Sequence, residues 1–261
     1  MVRPRRGHGR AQRRSAAPRL HGHLAAWLAL SAACKGDDDR NSCGVPTNEI
    51  SIVATLVDNG LSLRTEVDFA VGDRSTDVDG ISLCSDDELS IAGEQPNQTE
   101  RNERVIYSHT QPADGQRSVE VVLTRTDGER TAVAIELPEA FDITAPAPMA
   151  KVSRSADFML TWAPPAPEGS MRITLVEEIG NGICLETGTA EHDYKDSMGV
   201  DVDDDGNWLI PAAVIAGGAR DKCDAQYRFA RYEDVAYPSS FAPGGYIEGR
   251  TERIVAFVSV P

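Results

Sequence analysis

The sequence predicts an all-β protein of two tandem β-sandwich domains, and three observations carry that expectation. Apolar and polar residues alternate with period 2 along most of the chain, as strands buried on one face require, while long apolar repeats of helical period are nearly absent. Turn-forming pairs, Asn59-Gly60 and Asp127-Gly128, stand between such runs, where residues that tolerate positive φ are needed. A segment with two prolines among small residues, 143–150, divides the strands into two groups of similar length and reads as a linker. A chain of 261 residues is long enough to bury a real core in one or two domains.

The first residues read as an address. Residues 1–33 hold seven of the 26 basic residues and no acid. Leu24–Leu30 is a short apolar run, and Ser31-Ala32-Ala33 supply small residues before Cys34. Basic region, apolar core and small-residue exit are the parts of a secretory signal peptide. The apolar run is too short to span a membrane, which takes roughly 20 residues. Leu30-Ser31-Ala32-Ala33-Cys34 resembles the lipobox of bacterial lipoproteins. The resemblance implies that Cys34 carries lipid and ties the mature chain to a membrane. Lys35 after the cysteine resembles lipoproteins passed to the outer membrane, facing periplasm or exterior. The other reading is an ordinary cleaved signal whose nearby cysteine pairs elsewhere. Residues 34–45, with Asp37-Asp38-Asp39, read as an acidic, solvated tether.

The first domain, 46–142, is expected to hold strands at Glu49–Asp58, Leu61–Phe69, Glu88–Ala92, Arg104–His109, Ser118–Thr126 and Arg130–Leu137. The second, 151–261, is expected to hold strands at Asp157–Ala163, Met171–Glu177, Asn207–Ile210, Tyr227–Tyr232 and Thr251–Val260, with a single helical turn at Ala212–Ala216. Phe158-Met159-Leu160-Thr161-Trp162-Ala163-Pro164-Pro165 is similar to the early strand of fibronectin type III and related immunoglobulin-like domains. That resemblance implies an Ig-like sandwich with Trp162 packed centrally, and it brings no activity with it. The whole chain resembles bacterial lipoproteins built from such modules.

Four cysteines remain once Cys34 is set aside. An even number in an exported chain reads as disulfides, with three possible pairings. Position favours Cys43–Cys84 and Cys184–Cys223, one in each half. No Cys-x-x-Cys or Cys/His cluster suggests zinc.

Charge narrows the partners. Beyond residue 33, 19 bases face 41 acids, a net charge of -22, so a phosphate backbone is repelled and nucleic acid is excluded as a partner. Beyond the signal only His109 and His192 could serve as a catalytic base, and no Gly-x-Ser-x-Gly elbow or His-Glu-x-x-His helix is present. No catalytic residue is nominated. Asp201-Val202-Asp203-Asp204-Asp205-Gly206-Asn207 matches the opening of a calcium loop, with Asp201, Asp203 and Asp205 as side-chain ligands and Asn207 offering its carbonyl. Position twelve is Ala212, so any Ca²⁺ bound there would be weak; the competing reading is a solvated Asp-rich turn. Tyr237, Phe241 and Tyr246 lie in a long late loop that either presents a binding surface or packs its rings over the sandwich edge. The resulting expectation is a non-enzymatic binding or structural module on a membrane of the cell envelope, with a protein or glycan partner. The alternative is a carbohydrate-active or hydrolytic accessory protein with its site between the two modules.

Overall fold

The alternating runs fold as strands, and no α-helix forms among the described residues. These are residues 41–72, 80–102, 104–177, 185–187, 199–212, 215–217 and 222–261 of a computed structural model. The first group is β1 (Ile50–Asp58), β2 (Ser62–Val71), β3 (Gly80–Ile81), β4 (Glu88–Ile91), β5 (Asn97–Arg101), β6 (Arg104–Pro112), β7 (Ser118–Thr124) and β8 (Arg130–Glu136). The second is β9 (Asp142–Ala145), β10 (Ala150–Ser153), β11 (Phe158–Ala163), β12 (Ser170–Glu177), β13 (Leu185–Thr187), β14 (Val200–Asp203), β15 (Asn207–Ile210), β16 (Ile215–Gly217), β17 (Cys223–Asp234) and β18 (Tyr246–Val260).

Alternation sets the layers. In β1, Ile50, Ile52, Ala54 and Leu56 are buried while Val53, Thr55 and Val57 are only half-buried, so one face of the strand enters the core. Asp58 pairs with Leu63, which makes the first hairpin loop four residues long. Asn59 Oδ1 accepts from the N–H groups of Leu61 and Ser62, and Gly60 takes φ of 86° at the tip. The Asn-Gly pair turns the chain, but inside a longer loop than a two-residue hairpin.

One ten-stranded sheet runs through both groups in the order β14-β12-β17-β18-β1-β2-β6-β5, with β10 added to β18 and β3 to β2. The sheet β4-β7-β8 closes a first core around Leu56, Phe69, Ile91, Leu123 and Ile135. The sheet β15-β11-β9 closes a second around Leu160, Trp162, Tyr227, Phe229 and Phe257. Tyr227 stacks on Phe257 with ring centroids 5.0 Å apart, and Trp162 meets Phe229 edge-on at 5.7 Å. The architecture is two β-sandwiches.

β18 belongs to both. Its first part runs parallel to β1, from Val53 opposite Tyr246 to Asp58 opposite Thr251. Its last part runs parallel to β10, from Ala150 opposite Phe257 to Ser153 opposite Val260. Ile247 lies in the first core, and Val255 and Phe257 in the second. Phe241 also enters the first core, so residues 151–261 do not form a self-contained module.

Two local expectations are corrected. The segment 143–150 is not a free linker: Asp142–Ala145 pairs with β11 and Ala150 opens β10. Its prolines, Pro146 and Pro148, fall in the gap between those ladders, where no N–H is needed. Of the helical turn expected at Ala212–Ala216, residues 213 and 214 lie outside the described residues, and Ile215–Gly217 is instead a strand that pairs with Leu185–Thr187. Five residues offer too little hydrogen bonding to offset helix nucleation when a ladder partner is present.

The connector between β8 and β9 is tied down on every side. Thr251 Oγ1 donates to Pro138 O at 3.0 Å, Arg117 Nη2 to Leu137 O at 2.9 Å, and Arg231 Nη1 to Glu139 O at 3.0 Å. Beside it Arg231 pairs with Asp204 at 2.5 Å, with side chains only 3% and 1% exposed, and Trp162 Nε1 donates to the same carboxylate at 2.6 Å. Gly249 is where β18 passes this connector: a Cβ there would lie 1.7 Å from Glu136 O. Gly249→Ala must therefore push two backbones apart, and is expected to cost about 1–3 kcal/mol or more. Asp204→Asn leaves Arg231 buried without its counter-charge and is expected to cost about 3–5 kcal/mol. Urea-unfolding midpoints of the two variants against the unsubstituted chain check both values.

Candidate functional site

The most strongly organised surface feature sits where the chain enters the first sandwich. The lead-in segment, residues 41–46, has almost no ladder of its own, only a bridge between Asn41 and Ser82. It is held by other means. Cys43 is disulfide-bonded to Cys84, with Cα atoms 4.9 Å apart, as the cysteine positions predict. Ser42 N donates to Ser82 O at 2.9 Å, and Ser42 Oγ accepts from Cys84 N at 2.8 Å while donating to Asp87 Oδ2 at 2.7 Å. Arg125, at the end of β7, donates from Nη2 to the carbonyls of Ser42 and Val45, both at 2.9 Å, and from Nε to Asp87 Oδ1 at 3.2 Å. Asp87 also accepts from Thr126 N at 3.0 Å. Its side chain is 1% exposed and that of Arg125 10% exposed.

The clamped segment forms one wall of an open cleft of about 670 Å³. The disulfide and Asp86 form the second wall, the β7–β8 hairpin the third, and Ser240 of the late loop touches the rim. The Asp127-Gly128 pair shapes the hairpin: Gly128 takes φ of 89°, its N–H donates to Arg125 O at 2.8 Å, and Asp127 Oδ1 accepts from Glu129 N at 2.9 Å. Thr47 Oγ1 then fixes Glu129 by donating to Oε2 at 2.5 Å. Among the described residues, Asp86, Asp87, Asp127 and Glu129 thus face a single base, Arg125, whose Nη1 is buried without a hydrogen-bond partner there. Behind this end, Tyr107 accepts from Leu83 N at 2.7 Å. Burial raises the Tyr107 phenol above its ordinary range, the Leu83 N–H opposes that, and the Asp87 charge adds to it. Among the described residues no histidine lines the cleft.

The residues singled out in the sequence are scattered. Cys34, Cys184 and His192 lie outside the described residues. Cys223 is buried and disulfide-bonded, with Arg154 Nη2 donating to its sulfur at 3.1 Å. His109 pairs with Thr65 inside the large sheet. The calcium-loop residues are not gathered. Asp201 is engaged by Arg172 Nε and Nη2 at 2.7 and 2.9 Å, Asp203 sits exposed opposite Ser170, and Asp205 Oδ1 accepts from Asn207 N at 3.1 Å in its own turn. Asn207 then starts β15, in the other sheet of the second sandwich. Among the described residues no three His, Cys, Asp or Glu side chains come close enough to share a metal ion. Asp201 and Asp203 share the outward face of β14, but Asp201 is held by Arg172, Asp204 goes inward to Arg231 and Asp205 is folded into its own turn.

The late loop packs back more than it presents. Phe241 is in the first core, and Tyr237 Oη accepts from Ile52 N at 3.0 Å and donates to Ala242 O at 2.9 Å. Only Tyr246 is exposed, at 53%. Arg125 and Asp87, which organise the cleft, carried no motif. Their only trace in the sequence is a basic residue beside a Thr-Asp-Gly turn and an acid three residues after a cysteine.

No protein-family model matches the chain, and no curated protein matches it. Among solved structures it is similar to human mucin-like protocadherin EC1-2, at 10% identity over 81% of this chain and 98% of that one, with a TM-score of 0.22. It is similar to DIP-gamma IG1+IG2 at 9% identity, 79% and 97% coverage and a TM-score of 0.19. A Bacteroides ovatus mixed-linkage glucan utilization locus protein, SGBP-B, in complex with a mixed-linkage heptasaccharide, matches at 9% identity, 82% and 62% coverage and a TM-score of 0.17. Likeness at this level bears on neither ligand nor partner.

Removing the bridge by Cys43→Ser with Cys84→Ser is expected to lower stability by about 4 kcal/mol on the loop-entropy estimate. The loss should be local first. Hydrogen exchange is expected to show protection vanishing at residues 42–49 before β1 and β2 respond.

Proposed function

We propose that the protein is an exported, membrane-tethered binding module of the bacterial cell envelope, held by lipid on Cys34 and displaying a rigid pair of sandwiches. The observation that carries this reading is the clamp. The lead-in segment, residues 41–46, is locked to the body by a disulfide, a buried Asp87–Arg125 pair and backbone hydrogen bonds, and the same clamp builds the cleft. A signal-like N-terminus and cysteine pairing suit an oxidising compartment outside the cytoplasm. Eight residues lie between Cys34 and Cys43, a reach of at most about 30 Å, so a lipid on Cys34 would keep the cleft close to the bilayer. Net negative charge favours a protein or glycan partner over nucleic acid. The buried Arg231–Asp204–Trp162 cluster occupies the junction where an accessory enzyme would need its pocket, which favours binding over hydrolysis.

The test is fractionation of cells expressing the full chain. The unsubstituted protein is expected with membranes and in the detergent phase. Cys34→Ser is expected to leave an uncleaved or soluble form, and unchanged detergent partitioning of that variant would refute the anchor.

A further inference from the structure

We infer that the protein pairs with a second copy of itself through the outer face of the large sheet in the second sandwich, the two β18 strands stacking face to face in opposite directions. The contact uses neither the cleft nor the anchor.

The composition of β18 points to this face. Its odd-numbered residues from Ile247 to Ser259, Arg253 apart, are buried, so its even-numbered residues lie on the outer face. Over the first half these are Tyr246, Glu248, Arg250 and Glu252, and Arg250 pairs with the two glutamates at 2.8 and 3.0 Å. Over the second half they are Ile254, Ala256, Val258 and Val260. With Val255 and Phe257 inside, the end of the strand is apolar on both faces, the pattern of a strand that is covered on both. Yet Ile254 is 53% exposed, and Ala256, Val258 and Val260 are only half-buried. Val176 of β12 extends the same face across β17, where it stands opposite Gln226. An apolar face left in water marks a contact surface.

Charge identifies the occupant. β17 crosses this face with Asp224, Gln226 and Arg228, opposite Val258, Ala256 and Ile254. Asp224 and Arg228 are both exposed, and among the described residues neither is held in an ion pair. A two-fold axis along the Gln226–Ala256 rung reverses the strands. It sets Asp224 over Arg228 of the second copy, Arg228 over Asp224 of the second copy, and Ile254 over Val258. Both copies then make the same contacts at once, as an isologous interface requires. Beyond residue 33 the chain has 19 bases against 41 acids, so most of its surface repels a second copy. Here the balance is reversed, because Arg228 and Lys151, the latter opposite Val258 on β10, outnumber Asp224. Sheets packed in this way lie about 10 Å apart with their strands within about 30° of each other. Four outward residues on each of three or four strands cover roughly 300–400 Å² per copy, which places the pairing in the small, reversible class of contacts.

The experiment is sedimentation equilibrium of the full chain carrying Cys34→Ser, loaded from roughly 5 µM to 0.5 mM. The average mass is expected to climb from one copy toward two across that range. Ala256→Glu sets a charge at the centre of the face and is expected to weaken association at least tenfold, with the thermal midpoint of the dilute protein unchanged. Asp224→Arg and Arg228→Asp each place like charges opposite one another and are each expected to weaken it about tenfold. The combined variant exchanges the two charges and is expected to recover the association of the unsubstituted chain. A chain that stays monomeric at the highest loading overturns the proposal and leaves the face to a partner of different sequence. Association indifferent to Ala256→Glu would come from elsewhere, the apolar run Leu24–Leu30 included, and overturns it as well. Failure of the combined variant to recover, with its thermal midpoint intact, overturns the two-fold pairing.

Discussion

The passage of β18 through both sandwiches is the constraint on which the rest depends. Fifteen residues in one strand give the first core Ile247 and the second Val255 and Phe257, so neither core closes without the other half of the same strand. Two parallel neighbours, β1 and β10, use successive stretches of one edge, while β17 uses the other edge from Asp234 back to Cys223. A tandem pair joined by a flexible linker would behave as two bodies. Here the relative placement of the sandwiches is written into one hydrogen-bond ladder, and Gly249 is the residue that lets the β8–β9 connector lie against it.

Polar groups do the remaining joining. At the junction, Asp204 and Arg231 are buried together, and the guanidinium also reaches Glu139 O and Pro164 O and lies 4.8 Å from the Phe141 ring. These partners come from three segments: the turn after β14, the β8–β9 connector and the turn after β11. A buried ion pair adds little net stability over an apolar replacement, but removing one partner is costly, so such pairs fix arrangement more than they add strength. The Asp87–Arg125 pair acts in the same way at the other end, where it aligns the lead-in segment, the loop after Cys84 and the β7–β8 hairpin. Both pairs explain residues that composition alone would assign to solvent.

Much of the fold was legible because it is written in alternation. The expected strands at residues 88–92, 104–109, 118–126, 130–137 and 207–210 all overlap observed ones. What alternation misses is any strand whose two faces are alike. β5, Asn-Gln-Thr-Glu-Arg, is exposed at all five positions and shows no period; β3 has two residues; β9 and β10 hide in a proline-rich stretch. Strand lengths were also underread, since β17 and β18 extend well beyond the apolar runs that announced them. The candidate site was less legible still. The Cys43–Cys84 bridge followed from position, but the Asp201, Asp203 and Asp205 spacing pointed to a metal while Arg172 takes Asp201 and the turn takes Asp205. Cleft residues come from segments distant in sequence, Ser42 to Arg125, so no local motif could signal them.

The location of the bridge follows from what the lead-in segment lacks. Residues 41–46 carry one large apolar side chain, Val45, and almost no ladder, so hydrophobic burial and backbone pairing together hold them weakly. Three devices compensate: a covalent link, a buried carboxylate that gathers Ser42 and Thr126, and a guanidinium that takes two of the segment's carbonyls. Removing any one loosens the wall that the others complete. A surface cleft made this way is only as rigid as its least stable wall. The covalent link therefore sets the cleft's shape as well as holding the lead-in segment, which joins the two roles at a single bond.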